Sequence, residues 1–159
     1  MFDRPSKRVY LMNLARMAAT RVSCEKRQVG AILATSDGRV VSTGYNGTLP
    51  GMRDCESNCL RNRENKCIGT IHAEINALLR ARERSDLLYC TDQPCLACLK
   101  ATLSHNPGIE IVYWRSASDP DRDLFVSHLG DACRISQVDD EFEGEMLRHL
   151  PLLQGERRK

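Results

Sequence analysis

Two short stretches, T-I-H-A-E at 70–74 and D-Q-P-C-L-A-C at 92–98, each carry metal-binding side chains at the start of a predicted helix. One apolar run, L-L-Y-C-T at 87–91, lies between them, so this part of the chain reads helix, strand, helix. Two βα units of one sheet can bring such helix starts together. Such a meeting suits an α/β architecture.

The remaining segments agree. Residues 6–22 have apolar side chains at 9, 11, 14, 17, 18 and 22, close to a helical period, with Ser6 as N-cap. V-G-A-I-L-A-T (29–35) and R-V-V-S-T-G-Y (39–45) read as strands joined through the turn signal D-G. Residues 46–69 have no clear period and hold three cysteines, an uncommon length for a loop unless something organises it. A helix is expected over 71–84, a second over 95–105 after Pro94, a strand over 109–114 and a helix over 121–129 ended by Gly130. A last strand over 132–138 precedes a short helix, E-G-E-M-L-R-H-L, stopped by Pro151. This order predicts a three-layer α/β/α fold with a five-stranded mixed sheet, in a single domain over 1–159 with a flexible tail at 152–159.

His72 and the pair Cys95 and Cys98 amount to three protein ligands. Three ligands, rather than four, mark catalytic zinc, whose open position holds a water with its pKa lowered toward about 7. A thiolate is favoured at a helix N-terminus by the unpaired N–H groups and the helix dipole. Glu74 stands two residues from His72 and so points in another direction, which suits a proton carrier beside the metal rather than a ligand. A hydrogen-bonded core histidine and a redox Cys pair are the alternative readings, and neither uses Glu74.

H-A-E at 72–74 together with P-C-L-A-C at 94–98 resembles the signature of the zinc-dependent cytidine deaminase superfamily, in which the glutamate acts as general acid and base. G-Y-N-G at 44–47 narrows the likeness: from about residue 6 to 114 the chain resembles bacterial and phage-type deoxycytidylate deaminases. The resemblance implies hydrolytic deamination of dCMP to dUMP with release of ammonia. Zinc would be held by His72, Cys95 and Cys98, with Glu74 moving protons between water, ring N3 and the leaving amine. It further implies Asn46 and Ala73 as substrate contacts, and Gly44, Tyr45, Asn46 and Gly47 as part of a nucleotide effector site for dCTP and dTTP, with Mg2+ accompanying the effector. A homo-oligomer, commonly a hexamer, is implied as well. Three positions depart from the family pattern. Leu49 stands where a proline is usual, Ser118 or Asp119 where a tyrosine is expected, and Glu83, between Arg82 and Arg84, where an arginine is expected. Arg80, Arg82 and Arg84 could reach a phosphate or form a solvated basic face.

Of the eight cysteines, Cys90 and Cys133 sit in strand-like runs and read as core residues. Cys24, Cys55, Cys59 and Cys67 read either as a second, structural zinc site or as buried free thiols. The N-terminal stretch lacks the apolar core of a signal peptide and no run of 18 apolar residues exists, so a cytoplasmic protein with no membrane contact is expected. A net charge of +2 is too small for a nucleic-acid footprint, which disfavours a tRNA-acting relative within the superfamily. Other deaminases of the superfamily and a non-enzymatic zinc-stabilised module stay open.

Overall fold

The computed structural model describes residues 3–24, 26–55 and 59–150. The expected tail at 152–159 lies outside them. The elements are α1 (Lys7–Ala19), β1 (Gly30–Ala34), β2 (Val40–Tyr45), β3 (Gly47–Thr48), β4 (Thr70–Ile71), α2 (Ala73–Arg80), β5 (Leu87–Asp92), α3 (Leu96–His105), β6 (Glu110–Arg115), α4 (Pro120–Leu129), β7 (Arg134–Gln137) and α5 (Asp140–His149).

Five strands form one mixed sheet in the order β2-β1-β5-β6-β7. β1 runs antiparallel to β2 and β5, whereas β5, β6 and β7 are parallel. Alternation along β1 divides the core. Ile32 and Ala34 meet Val9, Met12 and Ala15 of α1 and Met146 of α5 on one face. Ala31 and Leu33 meet Ala73 and Ala77 of α2 and Leu99 of α3 on the other, where Phe125 and Val126 of α4 also pack. The result is the predicted α/β/α sandwich, buried on both sheet faces as parallel strands require.

Two glycines let helices approach the sheet closely. A Cβ on Gly30 would meet the Ala15 carbonyl oxygen at 1.9 Å, and one on Gly44 would meet the Ala73 carbonyl oxygen at 2.1 Å and the Ala77 nitrogen at 2.5 Å. Gly44 therefore seats α2 on β2, and α2 begins beside His72.

The structure corrects three expectations. Residues 46–69 are not structureless: β3 and β4 pair in a small antiparallel ladder, with Gly47 opposite Ile71 and Thr48 opposite Thr70, and a bridge joins Arg61 to Cys67. Helix α2 ends at Arg80, short of residue 84, because the following residues have other partners. Glu83 forms a forked ion pair with Arg39 beside the β1–β2 turn, at 2.6 and 3.0 Å, and Arg84 donates to Asn106. Finally, α5 starts at Asp140, because Asp139 caps it by accepting from the Phe142 N–H. Cys90 is fully buried, as expected, while Cys133 is half-buried and packs at the margin of the core.

Candidate active site

The site is at the carboxyl edge of the parallel strands, where open α/β sheets bind ligands. His72 is the N-cap of α2 and Cys95 the N-cap of α3, and neither side chain caps its own helix. Serine, threonine or aspartate would ordinarily hold the first free N–H groups there. Here the cap positions are given to the ring and the sulfur, which are left free to converge. Asp119 supplies the missing cap of α3 from a distance, accepting from the Leu96 N–H at 2.9 Å through Oδ2, while its Oδ1 accepts from Arg122 at the start of α4.

His72 Nδ1 is 3.5 Å from Cys95 Sγ and 3.4 Å from Cys98 Sγ. Tetrahedral zinc, with bonds near 2.3 Å to sulfur and 2.1 Å to nitrogen, would space such a pair by about 3.6 Å. The donor set and its spacing therefore fit zinc. Protons are shared unevenly among the three groups. The Cys98 thiol donates to Cys95, and this bond, with the one from His72, pulls Cys95 down to about 3. The same bond, followed by burial, pushes the Cys98 thiol far up, and the contact with Cys95 raises His72. Glu74 is 4 % exposed, and burial raises its carboxyl above the usual carboxylate range against the opposing pull of its own N–H and of His72. A carboxyl that burial makes a better proton acceptor suits proton transfer.

His72, Glu74 and Cys95 face a cavity of about 480 Å³, the size of a small-ligand site, with Cys98 buried behind them. His72, Glu74, Asn46, Asp92, Cys95 and Arg27 are among its lining residues. The Asn46 amide is strongly held: Oδ1 accepts from the Val29 N–H at 2.7 Å and Nδ2 donates to the Arg27 carbonyl at 2.9 Å. One N–H and one lone pair of that amide remain for a ligand. Asn76 donates to the Tyr45 carbonyl at 2.8 Å and so fixes the end of β2 beside α2. Ala73 has its methyl in the core, and its N–H, the first of α2, has no acceptor within the helix. Of residues 44–47 only Asn46 lines the cavity; Gly44 is covered by α2. Arg80, Arg82 and Arg84 do not line it; Arg80 donates to the Asn76 carbonyl at 3.0 Å and Arg84 to Asn106.

Cys55, Cys59 and Cys67 come together, their sulfurs within 4.8 Å of one another. Burial, then the charges of Cys59 and Cys67, push Cys55 up to about 11, and Cys24, outside that trio, is near enough to add to the effect. The Thr70 hydroxyl, 3.4 Å from Cys67 Sγ, pulls that thiol down to about 7. Sequence reading overlooked Arg27, Asp92, Arg115 and Arg122, and met Asp119 only as a departure from the family pattern, without its capping role. Asp92 stood in plain view in T-D-Q-P-C, but its partners are remote in the chain. Arg122 is 2 % exposed and donates to the carbonyls of Pro94 and Ala117, tying the cavity wall to the approach of α3.

Comparison with known proteins gives this geometry a lineage. A family profile described as the cytidine and deoxycytidylate deaminase zinc-binding region matches residues 5–114. The chain is 46 % identical over 107 residues to a deoxycytidylate deaminase of Schizosaccharomyces pombe, covering 60 % of this chain and 33 % of that one. It therefore spans about a third of the length of that relative. A deoxycytidylate deaminase of Mycobacterium phage D29 is 37 % identical over 133 residues, with 73 % of this chain and 99 % of that one covered. Among solved structures, the dCMP deaminase of cyanophage S-TIM5 in complex with dCMP and dUMP superposes with a TM-score of 0.70 at 25 % identity, over 86 % of this chain and 100 % of that one. With the paired helix starts, the His-Cys-Cys set and the buried Glu74 already in place, the match makes the chain a member of the zinc-binding cytidine and deoxycytidylate deaminase family.

Proposed function

We propose that the protein hydrolyses the 4-amino group of dCMP to give dUMP and ammonia. The observation that carries this reading is the buried Glu74 beside His72, Cys95 and Cys98, at a cavity that also has Lys26 and Arg27 in its lining. Zinc held by the three ligands would supply a water acidic enough to attack at neutral pH. Glu74 would take the proton of that water and deliver it to ring N3 as the oxygen adds to C4, then carry the proton of the resulting C4 hydroxyl to the departing amine, which leaves as ammonia with the C4 carbonyl of dUMP formed. The Ala73 N–H and the remaining N–H of Asn46 are the free donors for the base and the sugar. Lys26 and Arg27 offer positive charge to a phosphate, which supports a nucleotide over a nucleoside. The dCMP and dUMP in the cyanophage relative support the same choice.

Ammonia release from a panel of dCMP, CMP, dCTP, deoxycytidine and adenosine tests this reading. Turnover of dCMP above all others is expected; release from adenosine alone, or from none, would end it.

Further features belong to the same reading. The trio Cys55, Cys59 and Cys67, with Cys24 as fourth ligand, holds a second, structural zinc. Tyr45, at the end of β2, and Gly47, in the ladder of β3 and β4, contribute to an effector site for dCTP and dTTP with Mg2+. Leu79 on α2 and Leu124 on α4, 71 % and 61 % exposed, provide apolar surface for a homo-oligomer, with a hexamer favoured. No helix among the described residues is long and apolar enough to cross a membrane, and the eight free thiols suit a reducing compartment such as the cytoplasm.

A further inference from the structure

Asp92 ends β5 with its side chain 8 % exposed, in the wall of the active-site cavity. A carboxylate so placed needs partners for both oxygens. Arg27 Nε donates to Oδ2 at 2.7 Å and Arg115 Nε to Oδ1 at 2.6 Å. Each guanidinium is thus held through its Nε edge rather than through its outer fork. Arg115 uses Nη2 as well, donating to the Gln28 carbonyl at 2.9 Å, and so ties β6 to the segment that carries Arg27. The terminal nitrogens of Arg27, in contrast, have no hydrogen-bond partner among the described residues, and its side chain is 58 % exposed at the cavity. A bidentate pair, the stronger geometry, would give both oxygens of Asp92 to one guanidinium. Here one edge is anchored and the fork is left over. Among the described residues, this ion-pair cluster sets two guanidinium charges against one carboxylate, so Asp92 orients Arg27 without cancelling the positive charge.

We propose that Asp92 is a positioning residue for substrate selection: by gripping Arg27 Nε, with Arg115 as counterweight, it holds the Arg27 fork ready for the anionic end of a nucleoside monophosphate. The proposal rests on the reading of the substrate as a cytosine nucleotide and assigns the residue that makes its phosphate count. A fork fixed before binding loses little side-chain freedom on contact, which lowers KM for the phosphorylated substrate. It touches none of the reacting atoms, so kcat is not its concern.

The test compares zinc-loaded wild type with Asp92→Asn, Arg27→Lys, Arg27→Ala and the Asp92→Asn/Arg27→Ala double variant, using dCMP and deoxycytidine. Asp92→Asn should raise KM for dCMP about tenfold or more while kcat stays within about threefold and deoxycytidine kcat/KM is unchanged. Arg27→Lys keeps the charge but has no Nε edge plus free fork, and should show the same KM rise with Asp92 still paired to Arg115. In the Arg27→Ala background, Asp92→Asn should add almost nothing. Equal losses for dCMP and deoxycytidine, a full additional effect in the double variant, or an Arg27→Lys enzyme with wild-type KM would each overturn the proposal. Should Asp92→Asn fail to fold, the Arg27→Lys result decides alone. The wild-type preference for dCMP over deoxycytidine reports separately on the substrate reading.

Discussion

Glu74 and His72 differ by two positions, and that offset separates their duties. His72 turns to the sulfurs of Cys95 and Cys98, and Glu74 is buried in the cavity wall. Glu74→Gln keeps the size of the side chain but cannot carry a proton. It should retain zinc and lose activity by about 10²–10⁴-fold, read from metal analysis alongside kcat. Retained turnover would dismiss Glu74 as the proton carrier. The ligands make a second prediction. Cys98 and His72 hold their protons more firmly than free side chains do, whereas Cys95 gives its proton up already at about 3. Zinc has to displace the protons of the first two, so affinity should rise with pH through neutrality. Titration in buffers of different ionisation enthalpy should show about one to two protons released per zinc. Binding with no proton release would contradict the shared-proton arrangement. His72, Glu74, Cys95 and Cys98 were legible because their spacing within two short motifs states their roles. Asp92 with Arg27, and Asp119 with Leu96, were not. Those pairs are separated by 65 and 23 positions, and nothing local in the chain marks one as the partner of the other.

At the scale of elements, the tightest constraint is the seat of α2 on β2. Gly44→Ala would drive a methyl into the α2 backbone at 2.1 Å from the Ala73 carbonyl. Backbone cannot yield as a side-chain tip can, so a destabilisation of about 3 kcal/mol or more is expected, by thermal or denaturant unfolding. Zinc content should fall with it, because α2 carries His72 at its start; a variant with wild-type melting behaviour would mean that α2 shifts freely. The order of helices and the five sheet strands followed from periodicity. The ladder of β3 and β4 did not, since two-residue strands carry no period to detect. The end of α2 was overextended because Arg82, Glu83 and Arg84 are good helix formers. Tertiary partners overrule that preference: Arg39 holds Glu83, Asn106 holds Arg84, and the buried Ser85 bonds His105.

For the whole molecule, the expectation is two zinc ions per chain. Elemental analysis of protein purified without added metal should return that ratio, and Cys55→Ser should reduce it to about one while lowering the melting temperature. One zinc in the wild type would leave the thiol trio as free cysteines. Light scattering on the same samples would show whether exposed Leu79 and Leu124 are covered in a homo-oligomer.

The pairing of Thr48 with Thr70 has a consequence for how such a chain can change. The intervening loop leaves the domain and returns at adjoining points, so its two ends are clamped whatever its length. Residues can be inserted or deleted between them with the spacing of Asn46 and His72 untouched. The rim of the cavity can thereby change while the chemistry beneath it stays the same.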